Sequence, residues 1–433
     1  MRDAVPSNET RKDCFALGAL IAISVLVRLA IIMTIRERAS YDTPGFMLTA
    51  NAIRTFDFSR YDGRRTPIYP LLLLLADMDW RVVRWIQCGL GVAIAAMMYR
   101  ITWHRTRHAS IAFIVGLLCS LAVTELFYEQ IIYSEALCTF WIVLSMLALV
   151  RVESKVGSQS WNLALLGLSA ALAGMTRPMF LYLGALYFLF ILARSRSRVA
   201  LALVLAPTLL LAFGWSAFNK MTIDYFGVTT TTGFNLSNHS GGFMELAPPR
   251  YAQIADIYLR YRQFQVQRMG SHTMTIWLAE DEIKRATGLT TPQLSKELTR
   301  MSLEMFAEHP MLYLVSVARA WMRFWGFGFF DFVRAYKHAA GKVGYLLLLA
   351  LGSFQLAINL AFLTIAALAI ARWIRGRIAF DFDLAIIMTV LAGSIAQAFM
   401  EYGENVRYLA PLVPLVIYTV ASRLPFPSSP AES

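Results

Sequence analysis

The sequence predicts an all-α polytopic membrane protein, and three observations support this prediction. Hydrophobic residues make up 57% of the chain, charged residues only 16%, and the mean hydropathy is +0.53. In a soluble domain, charged residues approach a quarter of the chain. Apolar segments long enough to cross a bilayer recur along the sequence. A single long polar stretch, 219–310, interrupts them.

Ten apolar segments are predicted to be transmembrane helices. Seven precede the polar stretch and three follow it: 15–35, 82–101, 111–124, 132–150, 161–175, 179–192 and 199–218, then 343–371, 384–400 and 408–421. This pattern predicts an amino-terminal membrane module, 1–218, a small extracytoplasmic domain, 219–342, and a carboxy-terminal membrane module, 343–433. The domain is expected to be mainly helical in its second half, where Thr291-Pro292 is typical of a helix start.

The basic residues of the short loops set the predicted orientation. With the amino terminus inside, the inner loops collect arginine and lysine, as the positive-inside rule requires. The segment 311–330 carries Arg319 and Arg323 four residues apart beside Trp321, which is typical of a helix lying in the membrane interface. The alternative is that this segment is a full span, which would place Arg372, Arg375 and Arg377 outside.

Charge and cysteine content restrict the classes of partner. The formal net charge is +12, but most basic residues lie between apolar segments. We therefore expect contact with anionic lipid headgroups and with a phosphorylated lipid, and no nucleic acid. The four cysteines lie in or beside apolar stretches, so neither a disulfide nor a metal cluster is expected. The first apolar run is long enough to span the bilayer and has no small-residue cleavage site after it, so no cleavable signal peptide is expected.

The first outer loop, 36–81, holds the strongest candidates for chemistry. Asp42 follows the first span, and Arg64 and Arg65 precede a proline-framed apolar run that contains Tyr69. A carboxylate near paired guanidinium groups provides a base and an anion clamp at one bilayer surface. The structural alternatives are that Asp42 caps the helix beginning near Pro44 and that the arginines only reach out to headgroups.

Further polar residues are predicted at the same outer ends of the spans: Glu125, Glu129, Glu135, Arg177, Glu404, Asn405 and Arg407. A carboxylate inside a span is costly enough that Glu135 is expected to be functional or paired. For Arg177, an interfacial anchor and a site residue fit the sequence equally well. The alternative for Arg407 is a structural ion pair with Glu404. His239 lies in a loop without other metal ligands, so no metal site is predicted there.

Several short motifs occur in one order and on one predicted side of the membrane. They are Asp42 after span one, Arg-x-Pro-x-Tyr-Pro with a leucine run at 65–75, Tyr-Ser-Glu-Ala at 133–136, Thr-Arg-Pro at 176–178, Glu-His-Pro-x-x-Tyr-Leu at 308–314 and Glu-Asn-x-Arg-Tyr-x-x-Pro at 404–411. Together they resemble the GT-C fold glycosyltransferases, which include protein mannosyltransferases and lipid A aminoarabinose transferases. The chain departs from that pattern in having a single Asp42 where an acidic pair is usual, and in having a small outer domain.

The resemblance implies a polyprenyl-phosphate sugar as donor and a protein, lipid or glycan hydroxyl as acceptor. Asp42 would be the general base, and Arg64, Arg65 and Arg407, with Arg177 in reserve, would stabilise the departing lipid phosphate. The residues expected to orient sugar or acceptor are Glu129, Glu135, Tyr69, Glu404 and Asn405. In-line displacement predicts inversion at the anomeric carbon. No cofactor is expected, and no motif supports a divalent metal. We expect a bacterial inner membrane protein whose site faces the periplasm or exterior.

Two other classes of function remain open from the sequence. A transporter or flippase of lipid-linked sugars would be expected to show repeats and broken spans in both halves, and neither is evident. An O-antigen ligase or polymerase would be expected to carry a large Arg- and His-rich outer loop between late spans. Here the signal lies in the first loop instead, which favours the glycosyltransferase of GT-C type.

Overall fold

The computed structural model describes residues 8–34, 36–327 and 341–423. Within these ranges the chain is helical and has no β-strand, apart from an isolated bridge between Arg38 and Ile131. The all-α prediction is confirmed for this part of the protein. Residues 1–7 and 424–433, at the outer ends of the two predicted membrane modules, lie outside the described residues, as do residues 328–340 of the predicted extracytoplasmic domain. The last residue of the predicted span 15–35 and the end of the predicted interfacial helix 311–330 also lie outside them.

In the part of the chain that the structure describes, six helices are long and apolar enough to cross a membrane: Lys12–Thr34, Trp80–Thr106, Glu135–Glu153, Arg198–Ile223, Tyr345–Ile374 and Phe382–Met400. Each coincides with a predicted span. The outward faces of several of them are strongly apolar, as at Leu210, Phe213 and Leu347. Large exposed apolar surfaces on soluble monomers are rare, so these faces indicate contact with lipid. The structure thus supports an integral membrane protein.

The other four predicted spans also form helices, but these do not meet the same criteria. They are Ala109–Ser120, Gln159–Thr176, Pro178–Leu192 and Asn405–Ala421. The helix Ala109–Ser120 has 12 residues, which gives about 18 Å at 1.5 Å per residue, well short of a bilayer core of about 30 Å. Ten spans therefore remain a prediction.

The membrane helices share one main core. Its buried side chains come chiefly from the helices Glu135–Glu153, Pro178–Leu192, Phe382–Met400 and Val413–Ala421. A small residue allows one of the closest contacts, because a Cβ on Gly167 would overlap the backbone carbonyl of Leu203. Close backbone approach of this kind is typical of helix packing in membranes.

The polar segment forms its own helical layer with a separate core. Its helices are Thr231–Ser240, Ala252–Met269, Thr275–Thr287 and Thr291–Glu308. Apolar residues such as Phe234, Ile276 and Leu298 are buried between them. The last helix begins at Thr291, as predicted, and its first turn is closed by a capping box between Thr290 and Gln293. Both halves of the segment are helical, although the sequence indicated this only for the second half.

A short helix joins this layer to the last membrane helices. Pro310–Met322 has 13 residues and is followed by a wide turn, Arg323–Phe327, in which Gly326 adopts a φ of +95°. At about 20 Å, the helix is too short to cross a bilayer by itself. It packs against the helix Phe382–Met400, and Tyr313 donates a hydrogen bond to the carbonyl of Phe399 (2.8 Å). Its position relative to a membrane remains a prediction.

Candidate active site

The loop after the first helix is held in place by backbone pairing. Arg38 pairs with the segment 130–132, and Ser40 donates a hydrogen bond from its hydroxyl to the carbonyl of Ile132 (3.1 Å). The Ser40 hydroxyl also accepts hydrogen bonds from the backbone amides of Asp42 and Thr43. Ser40 therefore satisfies the start of the helix Thr43–Thr55, and the Asp42 carboxylate makes no capping hydrogen bond. The Asp42 side chain is free to point elsewhere.

The Asp42 carboxylate lies between two guanidinium groups. Arg65 Nη2 is 2.7 Å from Oδ1, and Arg407 Nη2 is 2.6 Å from Oδ2. The Arg65 guanidinium also lies 4.7 Å above the ring of Phe46. Burial would raise the pKa of Asp42, but the charges and hydrogen bonds of Arg65 and Arg407 lower it well below its ordinary value. Asp42 is thus a carboxylate at any physiological pH.

Arg407 extends the same cluster to a second and a third carboxylate. Its Nε donates to Glu135 Oε1, and its Nη1 donates to Glu404 Oε2 at 2.8 Å. Arg177 Nη1 donates to the same Glu135 oxygen. Glu135 is fully buried, and its other oxygen, Oε2, has no hydrogen-bond partner among the described residues. One buried carboxylate therefore fixes two guanidinium groups.

The central cluster, defined as Asp42, Glu135, Glu404, Arg65, Arg177 and Arg407, is electrically balanced. It contains three carboxylates and three guanidinium groups. Its residues come from parts of the chain up to 365 positions apart. Such a network is stable only when every charge has a partner, because an unpaired buried ion is expensive. The cluster therefore holds its side chains in one arrangement.

Two aromatic rings support the cluster. The Arg407 guanidinium carbon lies 4.0 Å from the centre of the Tyr133 ring, and that of Arg177 lies 4.9 Å from the ring of Tyr408. Cations are attracted to ring faces at such distances. Sequence reasoning did not select these tyrosines as site residues, although each lies within two positions of a charged candidate in the motifs at 133–136 and 404–411.

Arg64 points away from its neighbour Arg65. Its guanidinium forms an ion pair with Glu280 of the polar segment, and its Nε lies 3.1 Å from Asp62 Oδ2. It also lies near the rings of Phe234 and Trp277. The structure therefore gives Arg64 contacts that tie the first outer loop to the helical layer, and it does not bring Arg64 into contact with Asp42.

Glu129 forms a separate buried pair. Arg28 Nη2 donates to its Oε1 at 2.6 Å, and Arg28 Nη1 donates to Ser120 Oγ at 3.0 Å. Gly91 makes room for this pair, because a Cβ there would overlap the Glu129 carboxylate. Arg28 is buried, and its guanidinium points inward to this pair.

The remaining candidates make hydrogen bonds within the protein. The Tyr69 hydroxyl donates to Gln87 Oε1 at 2.9 Å. Asn405 Nδ2 donates to Gln397 Oε1 and to the Glu401 carbonyl, both at 2.8 Å. These contacts position the segments that carry Arg65 and Arg407. The predicted roles of Tyr69 and Asn405 toward a sugar remain predictions.

The described residues offer no metal site. No group of three or more His, Cys, Asp or Glu side chains is arranged to hold an ion in the ranges that the structure covers. His239 is buried against Tyr402, and its Nδ1 shares a hydrogen bond with the hydroxyl of Ser316 (2.8 Å). The expectation that the protein uses no divalent metal remains a prediction.

The fold and the site define an all-helical protein with several membrane-crossing candidates and a charged cluster beside a helical layer. No known protein family and no curated protein matches the sequence. One similar solved structure is the archaeal oligosaccharyltransferase AglB from Archaeoglobus fulgidus, in complex with an inhibitory peptide and a dolichol-phosphate. It aligns with a TM-score of 0.48 and 15% sequence identity, over 95% of this chain and 50% of that one. The chain thus spans about half of that protein, and this likeness is too weak to transfer a function.

Proposed function

We propose that the chain is an integral-membrane glycosyltransferase that transfers a sugar from a polyprenyl-phosphate donor to an acceptor hydroxyl at the extracytoplasmic face. The observation that supports this proposal most directly is the convergence of Asp42 with Arg65, Arg177 and Arg407, which come from separate parts of the chain. A base beside several guanidinium groups suits a reaction that removes a proton and releases a phosphate. The motifs shared with GT-C enzymes support the same chemistry.

Asp42 is the proposed general base. In the reaction the acceptor oxygen forms a bond to the anomeric carbon and gives its proton to Asp42. The bond from that carbon to the phosphate oxygen breaks, and its electron pair leaves with the lipid phosphate. Because the acceptor hydroxyl becomes acidic as the new bond forms, a carboxylate of low pKa is an adequate base. Attack opposite the leaving group inverts the configuration of the sugar.

The guanidinium groups have a second proposed role. The charge on the departing phosphate grows as its bond to the sugar breaks, and aligned cations stabilise that state more than the ground state. If donor binding draws Arg65 or Arg407 toward the phosphate, Asp42 loses a cationic neighbour and its basicity rises. Donor binding and activation of the base are then coupled through the same side chains.

A transfer assay tests the proposal. The purified protein in lipid nanodiscs is given a panel of short-chain polyprenyl-phosphate sugars with hydroxyl-bearing peptide, lipid and glycan acceptors. We expect release of polyprenyl phosphate together with a glycosylated product of inverted anomeric configuration, assigned by NMR. A product of retained configuration would exclude in-line displacement. Transfer from a nucleotide sugar, with none from the lipid donors, would exclude the proposed donor class.

The low pKa of Asp42 gives a prediction about pH. Since Asp42 is already deprotonated in the free protein, it causes no loss of kcat/KM as the pH falls from 8 to about 5. Replacing Arg65 by glutamine removes one of its two cations and raises its pKa, so an acidic limb appears at higher pH. Burial raises the pKa of nearby Glu401 to about 8, so a Glu401→Gln background separates its titration from that of Asp42. If the acidic limb of the kcat/KM profile lies at the same pH in Arg65→Gln as in the wild type, the assignment of Asp42 as the base is contradicted.

A further inference from the structure

The central cluster has no surplus positive charge for an incoming anion. Its three guanidinium groups already contact three carboxylates, two of them at 2.6 and 2.7 Å from Asp42. A lipid phosphate that carries one negative charge, rising toward two on release, needs cations that are not already neutralised. This requirement leads to the other arginines near the cluster.

Arg319 and Arg323 meet this requirement. They lie four residues apart at the end of the helix Pro310–Met322 and in the turn after it. In the described part of the chain, neither lies within 4.0 Å of a carboxylate oxygen, in contrast to Arg65, Arg177 and Arg407. The Arg323 guanidinium is half-buried and lies 4.9 Å from the centre of the Tyr402 ring.

The Tyr402 ring beneath Arg323 packs against two histidines. Tyr402 is buried and stacks on His239, with ring centres 5.8 Å apart, and His272 lies 5.5 Å from it. Burial lowers the pKa of His272, and the charges of Arg262, Arg323 and Arg319 lower it further. Arg319 lies four residues, about one helical turn, before Arg323, so both positive charges adjoin this region. We call it the Tyr402 shelf: Arg319, Arg323, Tyr402 and His272.

The shelf adjoins the central cluster. The turn Arg323–Phe327 packs against the helix Asn405–Leu409, which carries Arg407, and Tyr402 lies two residues before Glu404. In-line displacement requires the phosphate to lie beyond the anomeric carbon as seen from the base. With about 3 Å from base to acceptor oxygen and about 3 Å from that oxygen to the carbon, the phosphate lies at least about 6 Å from Asp42. Cations in direct contact with Asp42 are therefore too close to Asp42 to be the only partners of the phosphate.

The helix that carries Arg319 also presents an apolar surface. Met311, Leu312, Leu314 and Val315 are all exposed. A helix with one apolar face and terminal arginines is typical of the membrane interface, where the arginines lie at the depth of lipid phosphates. This favours a phosphate attached to a lipid over a soluble anion.

From these observations we infer that the Tyr402 shelf is a second anion position, in which Arg319 and Arg323 bind the phosphate of the polyprenyl donor. The central cluster then acts on the acceptor and on the charge that develops as the bond to the sugar breaks. The inference rests on the proposed function for the identity of the lipid. It assigns the binding of the phosphate chiefly to arginines that the sequence marked only as interfacial.

Binding of geranyl phosphate to the full chain in neutral-lipid nanodiscs tests the inference. We expect the double variant Arg319→Gln/Arg323→Gln to weaken this binding by at least about 10-fold, which is the effect of losing about 1.4 kcal/mol. Binding of uncharged geraniol should not change. The matched control is Arg268→Gln, which should bind as wild type. Arg268 is an exposed arginine of the helical layer and forms no ion pair with the residues that the structure describes. If the double variant does not fold, Arg323→Lys, which keeps the charge, should bind within a few-fold of wild type, and Arg323→Gln should not.

Three results would overturn the inference. They are unchanged binding of geranyl phosphate in the double variant, equal weakening by Arg268→Gln, and full competition by phosphatidylglycerol or by inorganic phosphate, which would indicate a general headgroup or free-anion site. Its failure is distinguishable from failure of the proposed function. Phosphate binding that depends on Arg323, in a protein that transfers no sugar, would support the Tyr402 shelf and contradict the proposed glycosyltransferase function. Sugar transfer that is insensitive to replacement of both arginines would support the glycosyltransferase function and contradict the shelf.

Discussion

Replacement of Asp42 by asparagine is expected to lower sugar transfer by about 100-fold or more, the usual contribution of a general base. The amide has nearly the same shape, and it can accept a hydrogen bond from one guanidinium group through its oxygen, but it cannot take a proton from the acceptor. Turnover should fall while donor binding persists, because the proposed phosphate position lies elsewhere. The measurement is kcat with a short-chain polyprenyl-phosphate sugar, alongside binding of geranyl phosphate.

Asp57 is the control for this substitution. It lies in the same outer loop, is exposed, and accepts a hydrogen bond from the backbone amide of Ser59 at 2.9 Å. Asp57→Asn should therefore transfer sugar at the rate of the wild type. Full turnover by a normally folded Asp42→Asn protein would remove Asp42 as the base.

Arg407 is expected to give the largest combined loss of stability and activity. It contacts Asp42, Glu135 and Glu404 through three different nitrogen atoms. Arg407→Gln leaves the fully buried Glu135 with Arg177 as its remaining cation, and breaking such a buried pair typically costs about 3–5 kcal/mol. We expect a lower midpoint of thermal unfolding in nanodiscs and loss of detectable transfer. Arg407→Lys should recover only part of both, because an ammonium group cannot bridge three carboxylates.

Glu404 provides the contrast for Arg407. It belongs to the same cluster but is more exposed than Asp42 or Glu135. An exposed ion pair contributes about 0–1 kcal/mol. The midpoint of thermal unfolding of Glu404→Gln should therefore be close to that of the wild type. A destabilisation by Arg407→Gln that is no larger than that of Glu404→Gln would contradict the buried network.

The site could be predicted in part because charge is costly near a membrane. Asp42, Arg65, Glu135, Arg177 and Arg407 stand out in the sequence, since each lies at the end of an apolar segment where a polar residue needs a reason. The structure brings these five into one network. Their candidacy came from hydropathy and motif order. The ion pair of Arg407 with Glu404, three residues away, is offered by the sequence as an alternative and is present in the structure. The other partners could not be deduced, because they lie on different segments.

Other candidates illustrate what local sequence cannot decide. Arg64 and Arg65 are neighbours with the same side chain, yet one contacts Glu280 and the other contacts Asp42. Glu129 and Glu135 looked alike as carboxylates at span ends. Glu129 is paired with Arg28, whereas Glu135 holds Arg177 and Arg407. The difference arises from which helix faces pack together, and that depends on contacts far apart along the chain.

The amino-acid sequence alone determined the helical class, the positions of the apolar segments and the set of charged residues that required partners, because hydropathy, helix signals and charge are properties of short stretches. Only the tertiary structure decided that Asp42 lies between Arg65 and Arg407, that Arg64 and Glu129 belong to other contacts, and that Arg323 lies on Tyr402. The reason is physical: ion pairs and stacked rings form across helices whose packing is set by the fit of whole surfaces, and a local pattern does not encode that fit.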